Sequence, residues 1–106
     1  MNSPTKSICM ADVVLRALRG RWATHILAVI ALHQSIHFNE LKRAMPGVSA
    51  KVLAEQLRYL EAAGVLERQA TGNSRQEVSY TYTARGHELK LVLDSFSELA
   101  ARWGLS

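Results

Sequence analysis

The stretch FNELKRAMPGVSAKVLAEQLRYL, residues 38–60, decides how the rest of the chain is read. Phe38, Leu41 and Met45 recur at helical spacing, with Glu40, Lys42 and Arg43 turned outward. Pro46-Gly47 breaks that helix, because proline lacks the N–H and glycine accepts the turn. Ser49 is placed to N-cap a second helix by accepting a hydrogen bond from an orphaned backbone N–H. Leu53, Leu57 and Leu60 form one apolar stripe, flanked by Val52, which leaves Ala50, Lys51, Ala54, Glu55 and Arg58 on the open face. A helix held from behind by leucines, with small and polar residues at its exposed start, suits a major groove. The same residues also fit two surface helices of an all-α domain, so the flanking sequence has to decide.

Downstream, Gly64 supplies a helix C-terminus, Val65 to Ala70 reads as a strand, and residues 71–76 form a loop with a Gly-Asn tip. A second strand, Val78 to Thr83, alternates Val78, Tyr80 and Tyr82 against Ser79, Thr81 and Thr83. A hairpin directly after a helix-turn-helix is a wing, and this order of elements is far more specific than two helices alone. Upstream, a helix is expected from Ile8 to Leu18, ended by Gly20, and a strongly apolar one from Trp22 to Leu32. Ile26, Leu27, Val29 and Ile30 of the latter are the expected central core, and Ile36 fits a brief strand before the motif. Thr83 caps a last helix reaching about Trp103, with Leu89, Val92, Phe96, Leu99 and Trp103 at steps of three and four, widened by Leu93 and Ala100. Such a seam is more apolar than a lone monomer requires and reads as a dimerisation helix; packing on its own domain is the alternative.

The class is therefore α+β, mostly α: a winged helix-turn-helix with N- and C-terminal dimerisation helices. Residues 1–7 are read as a flexible polar tail and residues 8–104 as one domain. The 106 residues carry a net charge of +4, and the excess sits in the first two-thirds: +3 over residues 1–37, +2 over 38–75 and −1 over 76–106. That bias favours a polyanionic partner. No apolar run approaches the roughly 20 residues that span a bilayer, and the start lacks the apolar core of a secretory signal, so a cytoplasmic protein is expected. The single cysteine, Cys9, excludes an intrachain disulfide and a CxxC motif.

These residues resemble the HxlR-type winged-helix transcriptional regulators, relatives of the MarR group, over about residues 8–104. The carriers are Cys9 thirteen residues before Trp22, the Gly20-Arg21-Trp22 turn, and the run from Phe38 to Ser49. Lys51-Val52-Leu53, Gln56 to Glu61, Gly64-Val65, Val78-Ser79-Tyr80 and Thr83-Ala84-Arg85-Gly86 complete the match. The resemblance implies a bacterial DNA-binding homodimer, built through N- and C-terminal helices, that represses or activates a nearby promoter. Met10 stands where many members have proline, Arg75-Gln76 replaces a proline pair in the wing, and Glu77 takes a position where a base is usual.

On this reading Ser49, Ala50, Lys51 and Arg58 meet double-stranded DNA from the second helix. Ser49 and the helix N-terminus suit a phosphate, Lys51 or Arg58 a guanine edge, and Ala50 and Ala54 close approach and thymine methyls. Asn39, Lys42 and Arg43 are expected at the backbone, and Arg75 at the wing tip. For each base the alternative is a solvated surface charge. Val13, Leu89, Val92, Phe96, Leu99 and Trp103 are expected in the homodimer interface. In several members of the family the cysteine matching Cys9 senses oxidants, quinones or aldehydes; packing in the interface is the competing role.

His33 and His37 are four apart, but residues 34–36 end the helix between them, so no metal site is expected. His25 and His87 read as surface or interface residues, and Trp22 and Trp103 as core or dimer anchors. No cofactor is implied. A small-molecule effector between the dimer helices is compatible with the sequence. An enzyme is disfavoured: the chain has no Gly-rich phosphate loop, no nucleophile–base motif, and little surface from which to build a cleft. The remaining rival is a winged-helix module that binds protein instead of DNA.

Overall fold

The computed structural model describes residues 15, 16, 18, 22–70, 72 and 78–105. Its elements are α1 (Ala23–His33), β1 (Ser35–His37), α2 (Phe38–Arg43), α3 (Ala50–Ala62), β2 (Leu66–Ala70), β3 (Val78–Tyr82) and α4 (Ala84–Arg102). The helix expected over residues 8–18 falls largely outside the described residues.

Helix α1 is the post around which the rest packs. Ala23, Ile26, Leu27, Val29 and Ile30 are all buried, as its almost unbroken apolar sequence requires. It stops at Gln34, whose φ of 63° is unusual for a residue with a Cβ. Two bonds hold that turn: Gln34 N–H donates to Ile30 O at 2.8 Å, and the Thr81 hydroxyl donates to Gln34 O at 2.8 Å. The chain then enters β1, where Ile36 points into the core and Ser35 and His37 face out.

The short strand around Ile36 is present, and it changes the sheet. The order is β1-β3-β2, antiparallel throughout, so β3 is the central strand and not one arm of a two-stranded hairpin. Ile36 pairs with Tyr80, and Arg68 pairs with Tyr80 from the other side. Ser79, on the face opposite Val78 and Tyr80 in the period-two alternation, is buried as well, between His37 and Gln69.

Helix α2 ends at Arg43, two residues before its last core residue. Met45 lies in the turn and is still fully buried. Helix α3 closes with the bonding pattern that a left-handed glycine allows. Gly64, at φ 79°, donates to Glu61 O, and Val65 N–H donates to Leu60 O at 3.0 Å. The chain is thereby turned straight into β2. The apolar sides of α1, α2, α3, β1 and β3 share one core that includes Phe38, Leu41, Val48, Leu53, Leu57, Leu60, Val78 and Tyr80.

Candidate nucleic-acid interface

What α3 presents outward follows from what its leucines bury. Leu53, Leu57 and Leu60 are at most 1% exposed and fix the rotation of the helix. At its start Ser49 has an extended backbone, and its hydroxyl oxygen accepts from Val52 N–H at 3.1 Å. No acidic residue occupies the first turn, so the positive end of the helix dipole is not neutralised there. Lys51, Glu55 and Arg58 are exposed, as expected for an outward face. Ala50 and Ala54 are different: both are half-buried and pack against the core. That packing takes their small side chains partly off the open face.

Helix α2 sets the second line of basic residues. Glu40 caps it by accepting from His37 N–H at 3.0 Å and lying 3.3 Å from His37 Nδ1. Those two bonds hold the Glu40 carboxyl below its ordinary pKa. Lys42 and Arg43 occupy the last turn, Arg43 exposed and Lys42 half-buried, beside a half-buried Asn39. Arg75, Cys9 and Val13 lie outside the described residues.

The joint between α3 and α4 is built mostly from contacts that local sequence does not reveal. Thr83 Oγ1 donates towards the Gly64 and Val65 carbonyls and accepts from Gly86 N–H at 3.1 Å. The Arg85 guanidinium donates to Ala63 O at 2.9 Å, satisfying a carbonyl at the end of α3. Only the Thr83 cap is legible locally, because the other contacts span about twenty positions of chain. The joint locks the direction of α4 to that of α3.

Of the residues assigned to the C-terminal seam, Leu89 is buried in the chain's own core. Val92, Phe96 and Trp103 are 50%, 54% and 66% exposed, Leu99 is half-buried, and Leu91 and Leu105 add to the open apolar surface. Leu93 packs against the core. His33 Nδ1 lies 2.9 Å from Val29 O, and His37 is held by Glu40, so each ring has its own partner. Among the described residues no three metal-ligating side chains come together, and no helix is long and apolar enough to cross a membrane. His25 and His87 are exposed, Trp22 is half-buried against the core, and the His87 ring meets Tyr82 edge-on at 5.3 Å.

Comparison with known proteins agrees with this architecture. The family model described as HxlR-like helix-turn-helix matches residues 17–106. The uncharacterized HTH-type transcriptional regulator YtcD of Bacillus subtilis (strain 168) is 33% identical over 93 residues, 88% of this chain and 70% of its own. The ytcD crystal structure has a TM-score of 0.81 at 31% identity and covers 91% of this chain and 97% of that one. The redox regulator HypR in its reduced form has a TM-score of 0.77 at 25% identity, covering 87% and 90%. The reduced form of the transcriptional regulator YodB from B. subtilis has a TM-score of 0.71 at 29% identity, covering 94% and 92%. The chain is a mostly helical winged helix-turn-helix protein with a three-stranded sheet, and it belongs to the HxlR-like helix-turn-helix family of transcriptional regulators.

Proposed function

We propose that this chain is a sequence-specific, homodimeric DNA-binding regulator that acts in the cytoplasm on a roughly palindromic operator. The observation that carries the reading is the mounting of α3: three leucines bury one side, and the other carries Ser49 and Lys51 at the capped start and Arg58 two turns further on. Ser49 and the backbone N–H groups behind it meet a phosphate, Lys51 and Arg58 read base edges, and Ala50 permits close approach. Asn39, Lys42, Arg43 and Arg75 hold the duplex backbone and set the register of the protein on it. Residues 8–104 form the folded unit and residues 1–7 its tail. Pairing occurs through the N-terminal helix with Val13 and through Val92, Phe96, Leu99 and Trp103 of α4.

The test is a gel shift of the protein with its own upstream DNA and with random DNA, at two salt concentrations. Specific binding that weakens steeply with salt and covers half-sites one helical turn or a multiple apart supports the reading. Arg58→Ala weakens operator binding more than random-DNA binding; an equal loss makes Arg58 a phosphate contact only. Binding to neither DNA leaves the protein-binding alternative.

A thiol response through Cys9 is the second part of the reading, favoured by likeness to the redox regulator HypR and to YodB, which has been solved diamide-treated and quinone-bound. Diamide treatment is expected to give a Cys9-dependent dimer band on a non-reducing gel with altered DNA binding. No band and unchanged binding assign Cys9 to packing alone.

A further inference from the structure

Helix α3 and the sheet do not close completely on one another. Between them lies a cleft of about 430 Å³. Its floor is apolar: Phe38, Val78 and the ring of Tyr80, each 5–6% exposed, together with Ala54. Its rim is charged, with Arg58 and Glu61 from α3 and Arg68 from β2. Two guanidinium groups against one carboxylate leave a single positive charge at the mouth. Arg68 pairs with Tyr80 across the sheet, and its guanidinium faces the Tyr80 hydroxyl. A guanidinium only donates, so the hydroxyl offers it an oxygen lone pair and keeps its proton for another acceptor. The volume falls in the range of about 300–1,000 Å³ typical of small-molecule sites, which combine apolar walls with a few convergent polar groups.

We propose that this cleft is a binding site for a small amphipathic monoanion, a carboxylate on an aromatic or short aliphatic body. The carboxylate sits between Arg58, Arg68 and the Tyr80 hydroxyl, in the geometry that guanidinium groups favour. The body covers Phe38, Ala54 and Val78. A DNA phosphate would satisfy the arginines but leave the apolar floor unfilled, which favours the small ligand. Arg58 belongs to both this site and the outward face of α3, so occupancy withdraws it from a duplex. That consequence rests on the DNA-binding reading; the site itself does not.

Benzoate serves as the probe and benzyl alcohol as its uncharged counterpart, titrated into the full chain without DNA and followed by ligand-observed NMR. Benzoate is expected to bind saturably with a Kd on the order of 1 mM. Benzyl alcohol should bind about tenfold more weakly, the scale of one charge-assisted hydrogen bond. Arg68→Ala removes that preference, and Ala54→Met, which fills the floor from the helix side, removes binding of both. Circular dichroism melts check that each variant folds, and either one suffices if the other does not. Benzoate binding no tighter than benzyl alcohol, or unaltered in the folded variants, overturns the site. In a second arm benzoate is added to the DNA complex against sodium chloride of equal ionic strength, and a several-fold loss of DNA affinity that Arg68→Ala abolishes is expected. Ligand binding without that loss overturns the coupling alone, and wild-type protein that binds benzoate but no DNA overturns only the DNA reading.

Discussion

The phenolic hydroxyl of Tyr82 donates to the main-chain carbonyl of Leu27, fifty-five positions earlier, and so ties the end of the central strand to the middle of the core helix. The oxygen is partly withdrawn from water and faces the Asp94 charge. Burial first and that charge second push the Tyr82 hydroxyl up to about 12.

Replacing Tyr82 by Phe therefore has two expected effects. Near neutral pH it costs about 1 kcal/mol through the lost hydrogen bond. In alkali the wild-type protein loses stability because the unfolded chain ionises first: the contribution of Tyr82 is complete below pH 10 and disappears as pH rises through about 12. Urea midpoints measured from pH 8 to 12 should fall less steeply for Tyr82→Phe. Equal slopes would show that Tyr82 is not buried as described.

Gly86 is required by space. A Cβ there would lie 2.2 Å from the Val65 carbonyl oxygen and 3.3 Å from Tyr82 Cβ, and the first of these is backbone that cannot swing aside. Gly86→Ala must push the start of α4 away from the α3–β2 turn. The expected loss is about 1–3 kcal/mol in chemical denaturation, the scale of overpacking. A neutral substitution would mean that α4 seats less closely.

Ser49 separates folding from binding. Ser49→Ala loses the cap and about 1 kcal/mol of stability. Ser49→Asp keeps an acceptor for Val52 N–H and should hold the wild-type Tm. It also places a carboxylate where a phosphate is proposed to sit, so DNA affinity by fluorescence anisotropy should drop for Asp more than for Ala. The reverse order would turn the helix start away from the duplex.

Phe96 is 54% exposed on α4 and makes no part of the core. Phe96→Glu should leave the fold intact and weaken self-association about a hundredfold, the scale of an aromatic anchor lost from an interface centre. Sedimentation at micromolar concentration then gives the mass of one chain, and Tm loses its dependence on protein concentration. An unchanged mass would move the interface elsewhere.

Local signals determined most of the elements. Helix-period leucines, the Ser49 and Thr83 caps, the Pro46-Gly47 break and the period-two tyrosines all act within one or two turns of chain. The leucine stripe, both caps and the tyrosine strand are present, whereas α2 stops at Arg43, ahead of the Pro46-Gly47 break. The outward side of α3 was legible for the same reason, since burying Leu53, Leu57 and Leu60 leaves only one rotation for Lys51 and Arg58. Tertiary structure alone decided the rest. It made β3 central by bringing β1 to its free edge, buried Ser79 and Leu89, drew Ala50 and Ala54 partly under cover, and opened a cleft where little surface was expected. It also brought Arg85 to Ala63 and Arg68 to Tyr80. These outcomes depend on residues far apart in sequence meeting in space, and periodicity carries no information about the partner across a gap of twenty or fifty positions.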